Sequence, residues 1–425
     1  PKEAINVTIT AKNLFSNNHL FCELLAEIFK SIGNFEEAKK FFKLSISLAP
    51  SNDEALYNFA NFLIGIGNKK DSLKLLNKIL NKNPNHSMSY YLFSTIIDVE
   101  KYQDIKNKII NLKIKDFKTN KDCFNILFSK SHIYHKLKEF KKSSEILKQA
   151  NDLKLLEEPS NLKELINFSE SIKNKINLDK SFDMPEIKYL RDIFIVGLPR
   201  SGSTLVESII GMNKDVHNLG ENSILSSALV EYEKSDFSDV DEIYFNYSQN
   251  FSQKKYITNK MLSNYMHIPH ILSKLKHSKV IYTFRNPLDN ILSMYRAKFT
   301  GKGNEYSSSL IDSAKYYKYQ FEIMSFYHEK YKNYIYFLSY DKLVSNPEPE
   351  IKKLIKWLGF EWNYLYLHPD KSQQGFFTAS NVQVRSPINN KSVGGWRKYT
   401  ELMQKPIDFF KKNKFLLNSF ETLTY

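Results

Sequence analysis

The sequence predicts an α-helical solenoid followed by an α/β domain with a mostly parallel sheet. Three observations carry this expectation. Small, turn and proline residues recur at a fixed 34-residue spacing early in the chain. After about residue 188, short apolar runs alternate with helical stretches. An apolar strand then enters a Gly197-x4-Gly202 loop that opens a helix. A chain of 425 residues is long enough for two or three domains with proper cores.

The repeat comes first. Ala26 and Ala60, Gly33 and Gly67, and Pro50 and Pro84 each lie 34 positions apart. Each unit reads as a helix, a Gly-Asn turn, a second helix and then proline. Gly33-Asn34-Phe35-Glu36-Glu37-Ala38 thus corresponds to Gly67-Asn68-Lys69-Lys70-Asp71-Ser72. Ala26, Ala60 and Ser94 fall where two helices must approach closely. A third unit departs from the pattern, with Lys101 in place of glycine and Lys118 in place of proline, and a related pattern returns over 131–147. A single helix pair cannot bury its apolar face, whereas a stack of them can. The pattern resembles tetratricopeptide repeats, which implies a concave face suited to docking a protein. A helical prop for the rest of the chain is the other reading. These features assign 1–154 to the repeats and 155–188 to a polar linker helix ending at Asp183-Met184-Pro185. Residues 189–425 form the α/β domain.

Composition excludes several classes. With 42% hydrophobic and 25% charged residues, the chain is ordinary for a globular protein rather than a disordered one. The formal charge of +15 invites nucleic acid as a partner, but the lysines are spread along the whole length with no arginine-rich arm. No nucleic-acid partner is therefore expected. The longest apolar runs, such as Ile193 to Leu198, are too short to span a bilayer, so no membrane partner is expected either. No basic, then apolar, then small-residue leader opens the sequence, which starts at Pro1. Cys22 and Cys123 cannot make a disulfide framework or a cysteine metal site. A reducing, cytoplasmic compartment is the expectation. His267, His270 and His277 lack the spacing of a zinc motif, so no metal site is assigned.

The chemistry concentrates at strand ends. Ile193-Phe194-Ile195-Val196 leads into Gly197-Leu198-Pro199-Arg200-Ser201-Gly202-Ser203-Thr204-Leu205, with a helix from about Ser203 through Ile210. Main-chain N–H groups of such a loop and helix start hold anionic oxygens. Ser203 stands where a nucleoside-triphosphatase would carry lysine, and the positive charge moves back to Arg200. A second unit runs from Lys279 to Phe284, followed by Arg285, an N-capping Asn286 and Pro287 at the first helical position. Arg285, with Ser293 two turns into that helix, suits a second phosphate. Tyr256 to Asn259 leads to Lys260, and Tyr334 to Ser339 leads to Tyr340. Arg200, Lys260, Arg285 and Tyr340 thus converge on the carboxyl edge of the sheet, where open parallel sheets bind ligands.

Pro199 through Leu205 and Arg285-Asn286-Pro287 through Ser293 resemble the two phosphate-binding motifs of sulfotransferases that use 3′-phosphoadenosine 5′-phosphosulfate (PAPS). The pattern is most similar to bacterial tetratricopeptide-repeat sulfotransferases, whose catalytic domain is similar to that of protein-tyrosine sulfotransferases. This resemblance spans about Arg191 to Tyr399. It implies a sulfotransferase fold in which Arg200, Ser201, Gly202, Ser203, Thr204 and Leu205 hold the 5′-phosphosulfate. Arg285 and Ser293 then hold the 3′-phosphate. It further implies Glu221, in Gly220-Glu221, as catalytic base, and Lys260 as stabiliser of the transferring group. Tyr340, opening Tyr340-Asp341-Lys342-Leu343-Val344, contacts the nucleotide. The segment from Ser380 to Trp396 closes over it, with Ser380 near the sulfuryl group and Asn389 and Lys391 beside the cofactor. One departure is Gly395, which replaces the basic residue usual before the tryptophan; Lys391 or Arg397 is the substitute.

The implied reaction is sulfuryl transfer from PAPS to an acceptor hydroxyl, with a protein tyrosine, a sugar or a small molecule as acceptor. It is an in-line displacement through a loose, charge-rich transition state. The donor carries an excellent leaving group, so fixed positive charge and positioning suffice and no metal is required. Two alternatives stand beside it. A nucleotide-dependent kinase or NTPase is opposed by the missing loop lysine and by Arg285 at the second strand end. A non-catalytic nucleotide-binding repeat scaffold is opposed by Glu221 and Lys260.

Overall fold

The computed structural model describes residues 18–177, 189–234, 239–299, 301–372 and 381–415, with 375, 377 and 378 between the last two spans. By its contacts the chain divides into two units. The first is 1–159 with 373–383, and the second is 160–372 with 384–425.

The first unit consists of paired helices. They run His19–Ser31 with Phe35–Leu48, Asp53–Gly65 with Lys69–Lys82, Ser87–Ile96 with Gln103–Asn111, and Asn120–Lys136 with Phe140–Glu157. Ala26, Ala60 and Ser94 are fully buried, as close helix approach demands. The Gly-Asn turns explain the spacing physically. Gly33 (φ 78°) and Gly67 (φ 86°) take the left-handed conformation that ends one helix. Asn34 and Asn68 then cap the next, their side-chain oxygens accepting from the amides of Glu37 and Asp71 at 3.2 Å each. In the fourth pair Lys138 takes over the glycine's role at φ 63°, at the strain a side chain brings there. The backbone bonds match. Gly33 and Asn34 donate to Lys30 and Phe29, and Lys138 and Glu139 donate to His135 and Tyr134. At the third pair the first helix stops at Ile96, and the departing Lys101 follows in a turn.

One late segment groups with these helices. The Phe377 ring stacks on Phe62 at 5.8 Å between centroids and lies 5.7 Å from Phe35, with the Lys30 ammonium 5.3 Å above it. Gly65 makes room: a Cβ there would come within 2.2 Å of the Phe377 ring.

Among the described residues, the second unit holds five parallel strands. They are β1 (Asp192–Gly197), β2 (Val216–Asn218), β3 (Tyr256–Asn259), β4 (Ser278–Phe284) and β5 (Ile335–Ser339), in spatial order β2-β3-β1-β4-β5. β1 is buried along its whole length, which is why it reads as an unbroken apolar run rather than an alternating one. Ile193, Ile195, Val206, Ile209 and Ile281 pack with Leu343, Ile351 and Leu354 in one cluster. The helix Leu162–Asn177 belongs to this unit. Asn161 Oδ1 accepts from the Tyr306 amide at 3.1 Å, and Phe168 meets the His267 ring. All strands point the same way, so all five carboxyl ends share one edge.

Candidate active site

The order of strands fixes the order of chemistry along that edge. Glu221 follows β2, Lys260 follows β3, the 197–204 loop follows β1, Arg285 follows β4 and Tyr340 follows β5.

The loop after β1 is tightly braced. Ser201 Oγ and Thr283 Oγ1 are 2.7 Å apart, and Asn290 Nδ2 donates to the Pro199 carbonyl at 3.0 Å. Arg200 sits at φ 69°, a strained conformation of the kind that collects at functional sites. Its Nε donates to Ser293 Oγ at 3.1 Å, bringing the 197–204 loop onto the helix that follows β4. Gly202 caps the helix Ser203–Ile210 at φ 99°. A Cβ there would lie 2.4 Å from the Tyr340 ring, so glycine lets the loop and the tyrosine touch. Ser203 and Thr204 are buried at the helix start, where first-turn amides have no intrahelical carbonyl to bond. The Leu205 side chain packs against the core of the sheet.

Arg285 is 6% exposed. Its guanidinium lies 4.8 Å over the Tyr340 ring, its Nη2 donates to the Ser392 carbonyl, and Asp341 Oδ1 is 3.9 Å from its Nε. That buried Nε has no hydrogen-bond acceptor among the described residues. Asn286 caps the helix Pro287–Tyr295, and its own amide donates to Asp341 Oδ2 at 2.6 Å. Burial pushes the Asp341 carboxyl upward, against the Asn286 amide and the Arg285 charge.

The closing segment arrives by a route the sequence did not display. Asp289 is buried and accepts from the Gly394 amide at 2.6 Å and the Trp396 amide at 2.9 Å. Tyr340 Oη and Ser392 Oγ are 3.0 Å apart. Ser392 makes the contacts to Arg285 and Tyr340, and Asn389 and Lys391 bond within their own turn; all three are exposed. Gly395 sits against Asp289, where a Cβ would make only an ordinary 3.6 Å contact. Arg397 is near the same turn, its Nη1 2.5 Å from where a Cβ on Gly394 would stand. Ser380 lies outside the described residues.

At the other end of the edge, Lys260 Nζ is 2.8 Å from Glu221 Oε1. The Lys260 side chain is 1% exposed and that of Glu221 is 46% exposed, so a buried ammonium stands behind a carboxylate open to solvent. The main chain joins them too, since the Lys260 amide donates to the Gly220 carbonyl at 2.9 Å. Gly220 takes φ 63°, which turns the chain from β2 into Glu221. Asn259 is fully engaged in holding this corner: its Oδ1 accepts from the Met261 amide and from Asn264 Nδ2. Among the described residues, no group of three or more His, Cys, Asp and Glu could hold a metal ion. No helix among them is long and apolar enough to cross a membrane.

Comparison with known proteins shows what the chain is similar to. Residues 192–249 and 237–364 match the model of the sulfotransferase family, and residues 32–92 and 124–155 match tetratricopeptide-repeat models. Residues 192–364 are thus similar to the sulfotransferase family, beside segments similar to tetratricopeptide repeats. An uncharacterized protein of Aquifex aeolicus (strain VF5) is 23% identical over 398 residues, which cover 85% of this chain and 51% of that protein. This chain thus spans about half the length of that curated relative. A putative protein-tyrosine sulfotransferase of Caenorhabditis briggsae is 25% identical over 232 residues, covering 48% of this chain and 80% of the relative. Among solved structures, the sulfotransferase domain of the Synechococcus PCC 7002 olefin synthase aligns with a TM-score of 0.38 at 16% identity. It covers 54% of this chain and 98% of that one.

Proposed function

We propose that the second unit transfers a sulfuryl group from PAPS to an acceptor hydroxyl, with Glu221 as general base. The observation that carries this reading is the Lys260–Glu221 pair on the same sheet edge as Arg200 and Arg285, in a sulfotransferase-family domain. The residues fit the donor. Arg285 offers a buried guanidinium, stacked on an aromatic ring, whose Nε lacks an acceptor among the described residues, which suits a 3′-phosphate. Ser293, on the helix after Arg285, serves the same phosphate, while Arg200, bonded to Ser293, and the amides at the start of the Ser203–Ile210 helix supply the second anion site. PAPS supplies an activated sulfuryl group on a good leaving phosphate.

This chain's own residues do the rest. Glu221 takes the proton from the acceptor hydroxyl as that oxygen attacks, and its exposure leaves it reachable. The Lys260 ammonium, fixed by burial, neutralises negative charge as it builds on the sulfuryl and bridging oxygens. The strap held by Asp289, Arg285 and Tyr340 keeps the nucleotide ordered. Ser380 assists at the sulfuryl group, and the repeats dock the acceptor protein. A peptide tyrosine is the acceptor that the name of the Caenorhabditis relative suggests.

The test is incubation with sulfur-labelled PAPS and tyrosine-bearing acidic peptides, with host lysate in parallel, followed by identification of the labelled product. Labelled peptide establishes the full reading, and labelled sugar or metabolite replaces the tyrosine. Absence of transfer in every arm, with no thermal stabilisation by 3′-phosphoadenosine 5′-phosphate (PAP), refutes it.

A further inference from the structure

Beneath the Glu221 loop lies a carboxyl group that the reaction above does not use. Glu207 sits in the apolar run Ser203-Thr204-Leu205-Val206-Glu207-Ser208-Ile209-Ile210 and is 3% exposed. A buried carboxyl group is costly unless hydrogen-bonded. Here a single oxygen takes two donors: Oε1 accepts from the Gly220 amide at 3.1 Å and from the Thr258 hydroxyl at 3.1 Å. The Thr258 hydrogen is shared with Asn218 Oδ1 at 3.0 Å, and Asn218 Nδ2 in turn donates to the Glu207 carbonyl at 3.1 Å.

Those donors are well placed. Gly220 immediately precedes Glu221, and Thr258 lies two residues before Lys260. We propose that Glu207 is a positioning residue for the Glu221–Lys260 pair, its Oε1 tying together the two loops that present the carboxylate and the ammonium. This rests on the functional reading above for its catalytic consequence, but not for the tether itself. The Ser203–Ile210 helix is also the one that starts at the anion loop, so one rigid element carries that loop at its start and the tether one turn later. The role is that of an acceptor rather than a charge. Burial pushes the Glu207 carboxyl upward, as does the nearby Glu221, against the Lys260 charge and the Thr258 and Gly220 hydrogen bonds.

The test uses three variants of the full chain. Glu207→Gln keeps an oxygen acceptor in place, Glu207→Met keeps the volume but removes the acceptor, and Glu207→Asp pulls the acceptor back by one methylene. Amide exchange at Gly220 and PAP affinity are read beside kcat and KM. A misplacement of about 1 Å at a reacting group costs roughly 10²-fold in rate, so Glu207→Met should lose kcat on that scale and Glu207→Asp somewhat less. PAP affinity and the KM for PAPS should stay within about threefold, the pattern of an interaction expressed only in the transition state. Gly220 exchange should speed up in the Met variant, and Glu207→Gln should restore both exchange protection and kcat.

Wild-type kcat in both Glu207→Met and Glu207→Asp overturns the proposal, as does a loss of PAP affinity matching the loss of kcat. If the Met variant does not fold, the Asp variant decides on the same criteria. Should the wild type neither bind PAP nor consume PAPS, the sulfuryl-transfer reading fails. Gly220 exchange then still reports on the tether, which falls if protection is the same in all variants.

Discussion

Lys260 reaches Glu221 across 39 positions of sequence and meets it at 2.8 Å, from a position with no solvent exposure. A buried ammonium left without its carboxylate is strongly destabilising, whereas a neutral amide in the same place still offers it an oxygen. In the proposed reaction the pair is therefore both a piece of chemistry and a structural joint, and substitutions separate the two roles.

Glu221→Gln should lower kcat by roughly 10²- to 10⁴-fold, the usual contribution of a general base. PAP affinity and the unfolding midpoint should change little. Glu221→Ala should lose the same activity and also unfold earlier, because the Lys260 ammonium loses its partner. Steady-state kinetics and thermal scans of the two variants side by side check this.

Gly202→Ala should abolish PAP-induced thermal stabilisation. The new methyl would meet the Tyr340 ring at 2.4 Å from a residue already at φ 99°. Strain at such a position costs about 1–3 kcal/mol. A Gly202→Ala protein that binds PAP like wild type would contradict the close approach of loop and tyrosine.

Asp289→Ala strands the partly buried amides of Gly394 and Trp396, at up to about 1 kcal/mol for each donor, the low end of the cost of an unsatisfied buried group. The strap should loosen, PAP affinity should fall, and proteolysis within 389–397 should accelerate. Unchanged cleavage rates in the presence of PAP would show that the strap is held by other means.

Lys138→Gly should stabilise the repeats. The wild-type residue holds a left-handed conformation at φ 63° that glycine fills at Gly33 and Gly67. Relief of that strain, about 1–2 kcal/mol, exceeds the entropy glycine loses on folding. A higher unfolding midpoint is expected, with activity unaltered.

His267 gives the acid limb of stability. Burial, reinforced by the neighbouring His270, lowers its pKa to about 4. The folded state therefore binds fewer protons than the unfolded chain between about pH 4 and 6.5. The resulting stability is complete above that window and is lost as pH falls through it. Each pKa unit is worth about 1.4 kcal/mol, so His267→Gln should flatten the decline by about 2–3 kcal/mol. Chemical denaturation at pH 6.5 and at pH 4.5 measures the difference.

Much of this molecule is written locally. The Gly33-Asn34 and Gly67-Asn68 turns are legible because a left-handed glycine and a capping asparagine are residue-level requirements. The strand-to-loop junctions at Gly197 and Asn286 are legible for the same reason, being set by neighbours in sequence. What the sequence withheld are the long closures. Asp289 reads as an ordinary first-turn acid, and nothing near it announces amides more than a hundred residues away. The contacts of Ser392 with Arg285 and Tyr340 were not legible either, since side-chain chemistry in a strap does not reveal which residue makes them. Glu207 did leave a signal, an acid inside an apolar helical run, but its partners come from β3 and the turn after β2.

The grouping of 373–383 with the repeat helices has a practical corollary for anyone dissecting the protein. A fragment begun near residue 160 would carry Phe377 away from Phe62, Phe35 and the notch at Gly65. The repeats expressed alone would in turn display an empty aromatic socket. One scissile point does not separate the halves, because the chain visits the first of them twice.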